Sequence, residues 1–293
     1  MKMTIVCNTR EDDARLDNLT GYGQVYGWHM REALRRAGVE AVLSKDEDLP
    51  NAPDADYYLG CSWFAHRFMK ANPSWFPEGV WWLESGGPTR SLMTPSGRKI
   101  KTAYIGMGAD PSVCYPAQDP GKPVVLFNAY NRDIRLGDTG NPRHQACVNA
   151  LEAIAEAGLA EVWTVKCPLP FASRVVGKFK GDVAGYTTWL DYMSAVRKTW
   201  VFLDSTPVIN ELGRVEASAC GAGLLVPEGL VPGEGEGLEY FTQETYREDP
   251  EELALLISSL LDSKPMDFEK RATRTLDYFN WDLCAQRLLR ALS

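Results

Sequence analysis

Short apolar runs of strand length alternate along this chain with longer segments whose apolar residues recur at helical spacing. Residues 3–7 (MTIVC) form the first such run. Residues 28–37 (WHMREALRRA) then place Met30 and Ala33 on one side of a helix that Gly38 ends. The same alternation continues along the sequence and predicts an α/β protein with mostly parallel sheets and helices on their faces.

The alternation can be followed element by element. Predicted strands lie at residues 3–7, 39–43, 56–60, 79–83, 102–105, 124–127, 161–166, 200–204 and 223–227. Predicted helices lie at residues 28–37, 62–71, 144–157 and 188–198, in a short segment that starts at Glu216, and at residues 249–262 and 267–292. The glycine-containing segment GYGQVYG, at residues 21–27, is predicted to be a loop between the first strand and the first helix.

The strongest linker is the segment DPGKP at residues 119–123, because two prolines and a glycine can hardly continue a helix or a strand. The order of strands and helices restarts after it. We therefore predict one Rossmann-like domain at residues 1–118 and a second at residues 124–275, facing each other across a cleft. In sheets of this kind ligands bind at the carboxyl ends of the strands.

The composition is that of an ordinary globular protein, with 45% hydrophobic and 24% charged residues among 293. No apolar run approaches the roughly 18 residues that a membrane span needs, and the first residues show no signal-peptide pattern. The seven cysteines are scattered without a CxxC pair, which fits reduced thiols better than a disulfide framework. We expect a cytoplasmic protein without a membrane span.

Charge and histidine content narrow the possible partners. The net charge of −8 argues against tight nonspecific binding to a polyanion, although a local basic groove is compatible with it. With three histidines in the whole chain, a multi-histidine metal site is not expected. No metal is therefore predicted.

Three motifs carry a resemblance to a known family. Residues 214–221 (RVEASACG) place an arginine, a hydrophobic residue and Glu216 before small residues and a glycine, residues 105–110 read IGMGAD, and residues 278–281 (YFNW) precede a last helix. In this order they resemble the GT-B glycosyltransferases, above all family 4 and the spore-maturation-type enzymes. The resemblance spans most of residues 105–292, whereas the first hundred residues match mainly in the rhythm of their elements.

The resemblance implies the GT-B fold, with a C-terminal helix at residues 276–293 that crosses back onto the first domain. It implies transfer of a sugar from a nucleotide-diphosphate sugar, UDP-sugar most of all, with retention of configuration and without a metal ion or another cofactor. In the family, the residue matching Glu216 accepts hydrogen bonds from the ribose hydroxyls, which suits an acceptor-only carboxylate. The small residues after it would let the helix N-terminus approach the diphosphate.

Basic residues that would face the diphosphate follow from the same resemblance. Arg132 is the first candidate, followed by Arg135 and Lys166. A solvated loop charge explains each of the three equally well. Arg214, directly before the Glu216 motif, is as suited to pairing with a neighbouring acid as to binding phosphate.

Four further candidates for the donor site would act through backbone groups or side-chain hydroxyls. Gly185 and Tyr186 lie where the family's turn binds the base, mostly with its backbone. Ser205 and Thr206 follow the strand at residues 200–204 and could offer hydroxyl and N–H groups to phosphate. An ordinary turn explains Ser205 and Thr206 equally well.

One position departs from the family pattern. Family members often have a second glutamate eight residues before the ribose-binding one, close to the transferred sugar. Here Val208 takes that position, and Glu211 is the acid nearest to it in the sequence. Either Glu211 takes over part of the role or the sugar is held differently, so the identity of the sugar stays open.

In the first domain, three residues could reach the cleft. Gly23 precedes the first helix and could bring backbone close to a ligand. His29, expected near the helix start, could bridge donor and acceptor, and a structural partner for it is about as plausible. Glu84 ends an apolar strand and could act as a general base or orient the acceptor hydroxyl; a salt bridge or an exposed loop acid would explain it as well.

The resemblance thus implies a glycosyltransferase whose acceptor hydroxyl lies on a glycan, a lipid-linked molecule, a small molecule or modified DNA. The compact length is similar to that of phage enzymes that glycosylate hydroxymethylated pyrimidines in DNA. Basic residues next to a tryptophan-rich stretch would suit such an acceptor: Arg67, Lys70, Arg90, Arg98, Lys99 and Lys101. A noncatalytic nucleotide-sugar-binding protein and a two-domain epimerase are two competing hypotheses for the same fold.

Overall fold

The computed structural model describes residues 1–20, 22–51, 54–60, 81–84, 92–93, 99–100, 105–118, 121–128, 141–165, 188–205, 212–228, 243–262 and 265–293. The helix predicted at residues 62–71 lies outside these ranges, and so does most of the strand predicted at residues 102–105.

The first sheet lies in the first third of the chain. Its strands are β1 (Lys2–Cys7), β2 (Glu40–Lys45), β3 (Tyr57–Gly60) and β4 (Trp81–Glu84), which run parallel in the order β2-β1-β3-β4. Helix α1 (Tyr22–Arg36) connects β1 to β2. Every residue of β1 after Lys2 is buried, as expected for a central parallel strand covered on both faces.

Two short strands and two 3₁₀ turns complete the first part of the chain. Strands β5 (Leu92–Met93) and β6 (Lys99–Ile100) pair antiparallel. The 3₁₀ turns are Leu16–Asn18 and Asp46–Asn51.

The second sheet follows the predicted linker. Its parallel strands are β7 (Val124–Asn128), β8 (Glu161–Val165), β9 (Val201–Asp204), β10 (Gly223–Pro227) and β11 (Gln243–Tyr246), in the order β11-β10-β9-β7-β8. The helices that the structure describes in this half are α2 (Pro142–Glu156), α3 (Trp189–Val196), α4 (Leu212–Ala219), α5 (Pro250–Leu261) and α6 (Pro265–Leu276).

Helix α7 (Trp281–Leu292) returns to the first half and packs on α1. Arg36 and Asp282 form an ion pair 2.7 Å apart across this contact. The chain before α7 lies against the end of the first half, where the Ala109 N–H donates to the Phe279 carbonyl over 2.8 Å. The predicted return of the C-terminal helix to the first half is therefore confirmed.

One apolar cluster is continuous between the two halves. It joins Met3 and Ile5 of the first sheet to Trp189 and Leu212 at the starts of α3 and α4, and to Trp281 of α7. A separate cluster lies on the other face of the second sheet, beneath α2 and α5. The domain boundaries predicted at residues 118, 124 and 276 stay predictions.

Two predicted helix starts were wrong. Helix α1 begins at Tyr22, so most of GYGQVYG is helical rather than a loop. A Cβ atom on Gly27 would lie 2.8 Å from the Cys7 sulfur, so this glycine lets α1 approach β1 instead of a ligand. Helix α4 begins at Leu212, one turn before Glu216, and its first turn therefore lies earlier in the chain than predicted.

The end of the chain also differs from the prediction. The helix predicted at residues 267–292 is two helices, because the Asn280 side chain accepts the Leu283 N–H and so caps a new helix. Strand β11 was not predicted at all. Its sequence, QETY, lacks apolar alternation.

Candidate functional site

The second sheet has its topological switch point between β7 and β9, where open α/β sheets bind ligands. Asn128 ends β7 and Asp204 ends β9, so both lie at the carboxyl edge of this point. The Asn128 side-chain amide donates to the Asp204 carboxylate over 3.2 Å. This edge therefore carries polar side chains that are already bonded to each other.

Asp204 is fully buried and receives a hydrogen bond from the guanidinium of Arg214, which is also buried. The hydroxyl of Tyr246, the last residue of β11, donates to the Asp204 carbonyl over 3.0 Å and holds the end of β9 in place. Of the two roles that the sequence allows for Arg214, the structure shows the ion pair with an acid. Binding of phosphate by Arg214 stays a prediction.

Ser205 directly follows β9 and is buried. Its backbone N–H donates to the Asn128 carbonyl over 3.1 Å, in continuation of the pairing between β9 and β7. The Ser205 hydroxyl also donates to the Asn128 carbonyl, over 3.5 Å. Both donors of Ser205 are therefore already bonded within the sheet, and its contact with phosphate stays a prediction.

Glu216 lies in the second turn of α4 and is buried. Its Oε1 atom accepts the indole N–H of Trp189, the first residue of α3, over 2.6 Å. The backbone N–H of Trp189 in turn donates to the Leu19 carbonyl of the first half over 2.6 Å. The carboxylate predicted to bind ribose thus lies at the contact between the two halves.

Two thiols lie beside this carboxylate. The pKa of the Cys114 thiol is raised well above its usual value, first by a hydrogen bond with Cys220, then by burial, and further by the charges of Cys220 and Glu216. Both cysteines are buried. The Cys114 thiol therefore stays protonated at neutral pH.

His29 lies in the middle of α1, not near the helix start as predicted, because α1 begins seven residues before it. Its Nδ1 atom is 3.5 Å from the Asp110 carboxylate. Its ring stacks on Trp281 at 5.5 Å and meets the Trp189 ring edge-on at 4.9 Å. His29 therefore joins α1, α3 and α7 at the contact between the halves.

Burial lowers the pKa of His29 from 6.5 to about 4; the charge of Asp110 opposes this shift and that of Arg36 adds to it. The imidazole is therefore neutral at neutral pH. Its Nε2 atom is buried and has no hydrogen-bond partner among the described residues. A role in bridging donor and acceptor stays a prediction.

Gly23 and Glu84 lie at the carboxyl edge of the first sheet. Gly23 is buried in the first turn of α1, which follows β1 and its loop. Glu84 is the last residue of β4, in register with Gly60 at the end of β3. Their backbone positions fit the predicted cleft, and their roles stay predictions.

The remaining predicted site residues lie outside the described ranges: Arg132, Arg135, Lys166, Gly185, Tyr186, Thr206 and Glu211. So do the side chains of the predicted basic face and of the tryptophan-rich stretch beside it. Their roles stay predictions.

Sequence reasoning missed the contributions of Trp189 and Asp204. Trp189 follows the helix-capping Thr188, and the pattern predicts a helix there but not which side chain the indole meets. Asp204 ends an otherwise apolar strand at a switch point, and that position was the available signal. The Asp110 carboxylate accepts the Ser112 N–H over 2.9 Å and also faces His29.

Two further features of the described residues concern metal-binding clusters and helices that could span a membrane. In the ranges that the structure describes, no group of three or more histidine, cysteine or acidic residues is arranged to hold a metal ion. Among the helices described, none is both long enough and apolar enough to cross a membrane. Metal independence stays a prediction.

No known protein-family model matches the sequence, and no curated protein matches it significantly. Solved structures do match the fold. Sucrose-phosphate synthase from Thermosynechococcus elongatus superposes with a TM-score of 0.65 at 14% identity, over 99% of this chain and 98% of the other.

Two further structures match as well. A putative UDP-N-acetylglucosamine 2-epimerase from Listeria monocytogenes has a TM-score of 0.63 at 15% identity, over 99% of this chain and 95% of its own. The HepE protein of Anabaena, solved with UDP and glucose, has a TM-score of 0.60 at 12% identity, over 100% and 99%. At these identities the likeness is one of fold: the chain has the GT-B architecture of two Rossmann-like units with parallel sheets, as the sequence predicted.

Proposed function

We propose that this protein is a glycosyltransferase that moves a sugar from a UDP-sugar to an acceptor hydroxyl. The observation that carries the proposal is the position of Glu216. It lies on the helix that connects β9 to β10, beside the switch point of the second sheet, and it faces the first half of a GT-B fold. Of the structural neighbours, the HepE protein was solved with UDP and glucose bound.

In this proposal the donor lies against the second half. Glu216 accepts the ribose hydroxyls, and the first turn of α4, which starts at Leu212, faces the diphosphate with the positive end of its helix dipole. Arg132 neutralises the leaving diphosphate, assisted by Arg135 and Lys166. The turn at Gly185 and Tyr186 holds the base, with Ser205 and Thr206 near the phosphates and Glu211 near the sugar.

The first half would present the acceptor. Glu84, at the end of β4, would orient the acceptor hydroxyl or act as its base. Catalysis would then consist mainly of orientation and of electrostatic stabilisation of the departing diphosphate, with retention and without a metal ion. His29, buried and neutral, would serve by holding the two halves together rather than by transferring a proton.

The first test is calorimetric titration of the protein with UDP, GDP and ADP in the absence of metal. We expect micromolar binding of UDP and much weaker binding of the other two. Glu216→Ala should weaken UDP binding at least tenfold, because the ribose hydroxyls lose their charged acceptor. Glu252→Ala, at an exposed position on the distant helix α5, is the matched control and should not change the affinity.

Two outcomes would overturn this assignment. Failure of all three nucleotides to bind would leave the fold without the proposed donor site. Equal affinity of the Glu216→Ala variant and the unchanged protein would place the ribose elsewhere.

The acceptor is tested separately, with glycans, small-molecule hydroxyls and duplex DNA containing hydroxymethylated pyrimidines. A gel shift with such DNA at low and moderate salt tests whether DNA is the acceptor. Binding that weakens with salt would favour DNA, and no binding at either salt would count against it. UDP-sugar binding without turnover on any acceptor would favour a noncatalytic sensor.

A second candidate, an epimerase, is favoured by the equal likeness of the fold to the putative UDP-N-acetylglucosamine 2-epimerase. The two functions differ in their products. A glycosyltransferase needs the acceptor to release UDP at its full rate and forms a new glycoside. Release of free UDP together with an epimerised sugar in the absence of acceptor would identify the epimerase.

A further inference from the structure

We propose that the indole N–H of Trp189 occupies the place of a ribose hydroxyl on Glu216, so that the nucleotide must displace Trp189 to bind. This inference rests on the donor site proposed above. It makes Trp189 a residue that sets the affinity of that site by competing with the ligand for one carboxylate.

The geometry of the contact fits such a competition. The distance of 2.6 Å between the indole nitrogen and the Glu216 carboxylate is that of a strong, charge-assisted hydrogen bond. An indole N–H donates one hydrogen bond, and a ribose hydroxyl likewise donates one hydrogen bond to a carboxylate. Trp189 therefore satisfies Glu216 with the type of bond that the ligand would make.

The burial of both side chains means that one of them must move. Glu216 is 3% exposed and Trp189 is 5% exposed. A hydroxyl group from solvent reaches a carboxylate this deeply buried only after a covering side chain moves. Trp189 is a buried residue whose indole is bonded to this carboxylate.

Trp189 is also held by the first half of the chain. Its backbone N–H is bonded to the Leu19 carbonyl, and its ring meets His29, which stacks on Trp281. Displacing the indole therefore removes part of the contact between the two halves. Binding of the nucleotide at Glu216 is thereby coupled to loosening of this contact.

The test compares two ligands on two variants by calorimetry. UDP carries the ribose hydroxyls, and 2′,3′-dideoxyuridine 5′-diphosphate lacks both. Trp189→Phe keeps an aromatic ring against His29 but removes the N–H that competes for Glu216. We expect this variant to bind UDP about tenfold more tightly, because the unliganded state loses a hydrogen bond to a charged group. Binding of the dideoxy ligand should not change.

Trp200→Phe is the matched control. The Trp200 indole N–H is buried without a hydrogen-bond partner among the described residues, and Trp200 precedes β9 at the edge opposite to the switch point. The same chemical change there removes no bond to a carboxylate. Both ligands should bind this variant as they bind the unchanged protein.

The competition is overturned if Trp189→Phe binds UDP with unchanged or weaker affinity, or if both ligands tighten by the same factor. A different result would refute the donor site itself: if Trp189→Phe, in which no indole N–H competes, binds UDP and the dideoxy ligand equally well, the nucleotide makes no ribose contact. Should Trp189→Phe fail to fold, the exchange rate of the Trp189 indole proton in the unchanged protein decides. UDP should raise that rate at least tenfold if the indole is displaced from its hydrogen bond, and an unchanged rate would refute the proposal.

Discussion

Two buried carboxylates, Asp204 and Glu216, lie close in the sequence of the second half and are satisfied in different ways. Asp204 accepts from the guanidinium of Arg214 and from the Asn128 amide, both within its own half. Glu216 accepts the neutral indole N–H of Trp189, whose backbone is bonded to the first half. The first acid is paired with a full positive charge and the second with a neutral donor at an interface.

This difference indicates that Asp204 has a structural role, whereas the hydrogen bond to Glu216 is one that a ligand can replace. A buried carboxylate with a fixed cation loses a great deal when either partner is removed, since the other charge stays behind unpaired. A buried carboxylate with a neutral donor can exchange that donor for another of the same type at small cost. The fixed pair at Asp204 holds the carboxyl edge of β9, and the exchangeable contact at Glu216 is suited to a ligand.

The largest expected effect is on the fixed pair. Asp204→Asn keeps the size of the side chain but removes the carboxylate with which the buried Arg214 is paired. We expect the free energy of unfolding to fall by about 3–5 kcal/mol, as measured for other broken buried pairs. Chemical denaturation followed by circular dichroism checks this.

The double variant Asp204→Asn, Arg214→Met serves as control, because it removes the positive charge of the pair as well. It should regain at least half of the stability lost in the single variant. If Asp204→Asn alone lowers the free energy of unfolding by less than about 1 kcal/mol, the contact between Asp204 and Arg214 contributes no more than a typical surface ion pair. The description of it as a fixed buried pair would then be wrong.

The second largest expected effect is a pH dependence of stability that comes from His29. This residue lies, like Glu216, at the contact between the two halves. His29 has a pKa of about 4 in the folded protein and 6.5 as the ordinary value, so the unfolded chain binds a proton more readily between these values. The contribution of neutral His29 is fully present above pH 6.5 and is lost as the pH falls towards 4. The loss amounts to about 3 kcal/mol, from 1.36 kcal/mol for each pKa unit.

His29→Phe isolates this titration, because it keeps a ring against Trp281 and Trp189 but cannot bind a proton. Unfolding measured between pH 7 and pH 4 should give a flatter pH dependence for this variant than for the unchanged protein. Asp110 and Arg36 also face His29 and are retained in both proteins. Identical slopes would show that His29 does not carry the acid sensitivity of this contact.

Much of the fold is readable from the sequence because strand and helix periods are local properties. The apolar runs that became β1, β7, β9 and β10 were predicted to within one or two residues at each end. The start of α1 was missed because its glycines suggest a loop, whereas Gly27 is required by the close approach to Cys7. Such a close approach depends on how a helix packs against a strand, and a local sequence pattern does not contain this information.

The candidate site was less predictable for the same reason. Glu216 was singled out from its motif, but the partner that bonds its carboxylate is 27 residues away in the sequence. The pairing of Arg214 with Asp204 was one of two possible roles, and the choice between them depends on where β9 ends relative to α4. Charge and residue type predict that a group needs a partner, and the tertiary fold determines which one it receives.

The smallest expected effect on stability concerns Glu216, and it tests whether the fold needs the charge of this carboxylate as it needs that of Asp204. Glu216→Gln keeps an oxygen that accepts the Trp189 N–H, whereas Asp204→Asn removes the carboxylate paired with Arg214. We therefore expect the free energy of unfolding to change by less than about 1 kcal/mol, the size of one neutral hydrogen bond. Chemical denaturation under the conditions used for Asp204→Asn measures it. A loss as large as that of Asp204→Asn would mean that the Glu216 charge is itself fixed by the fold, and the two carboxylates would then both be structural.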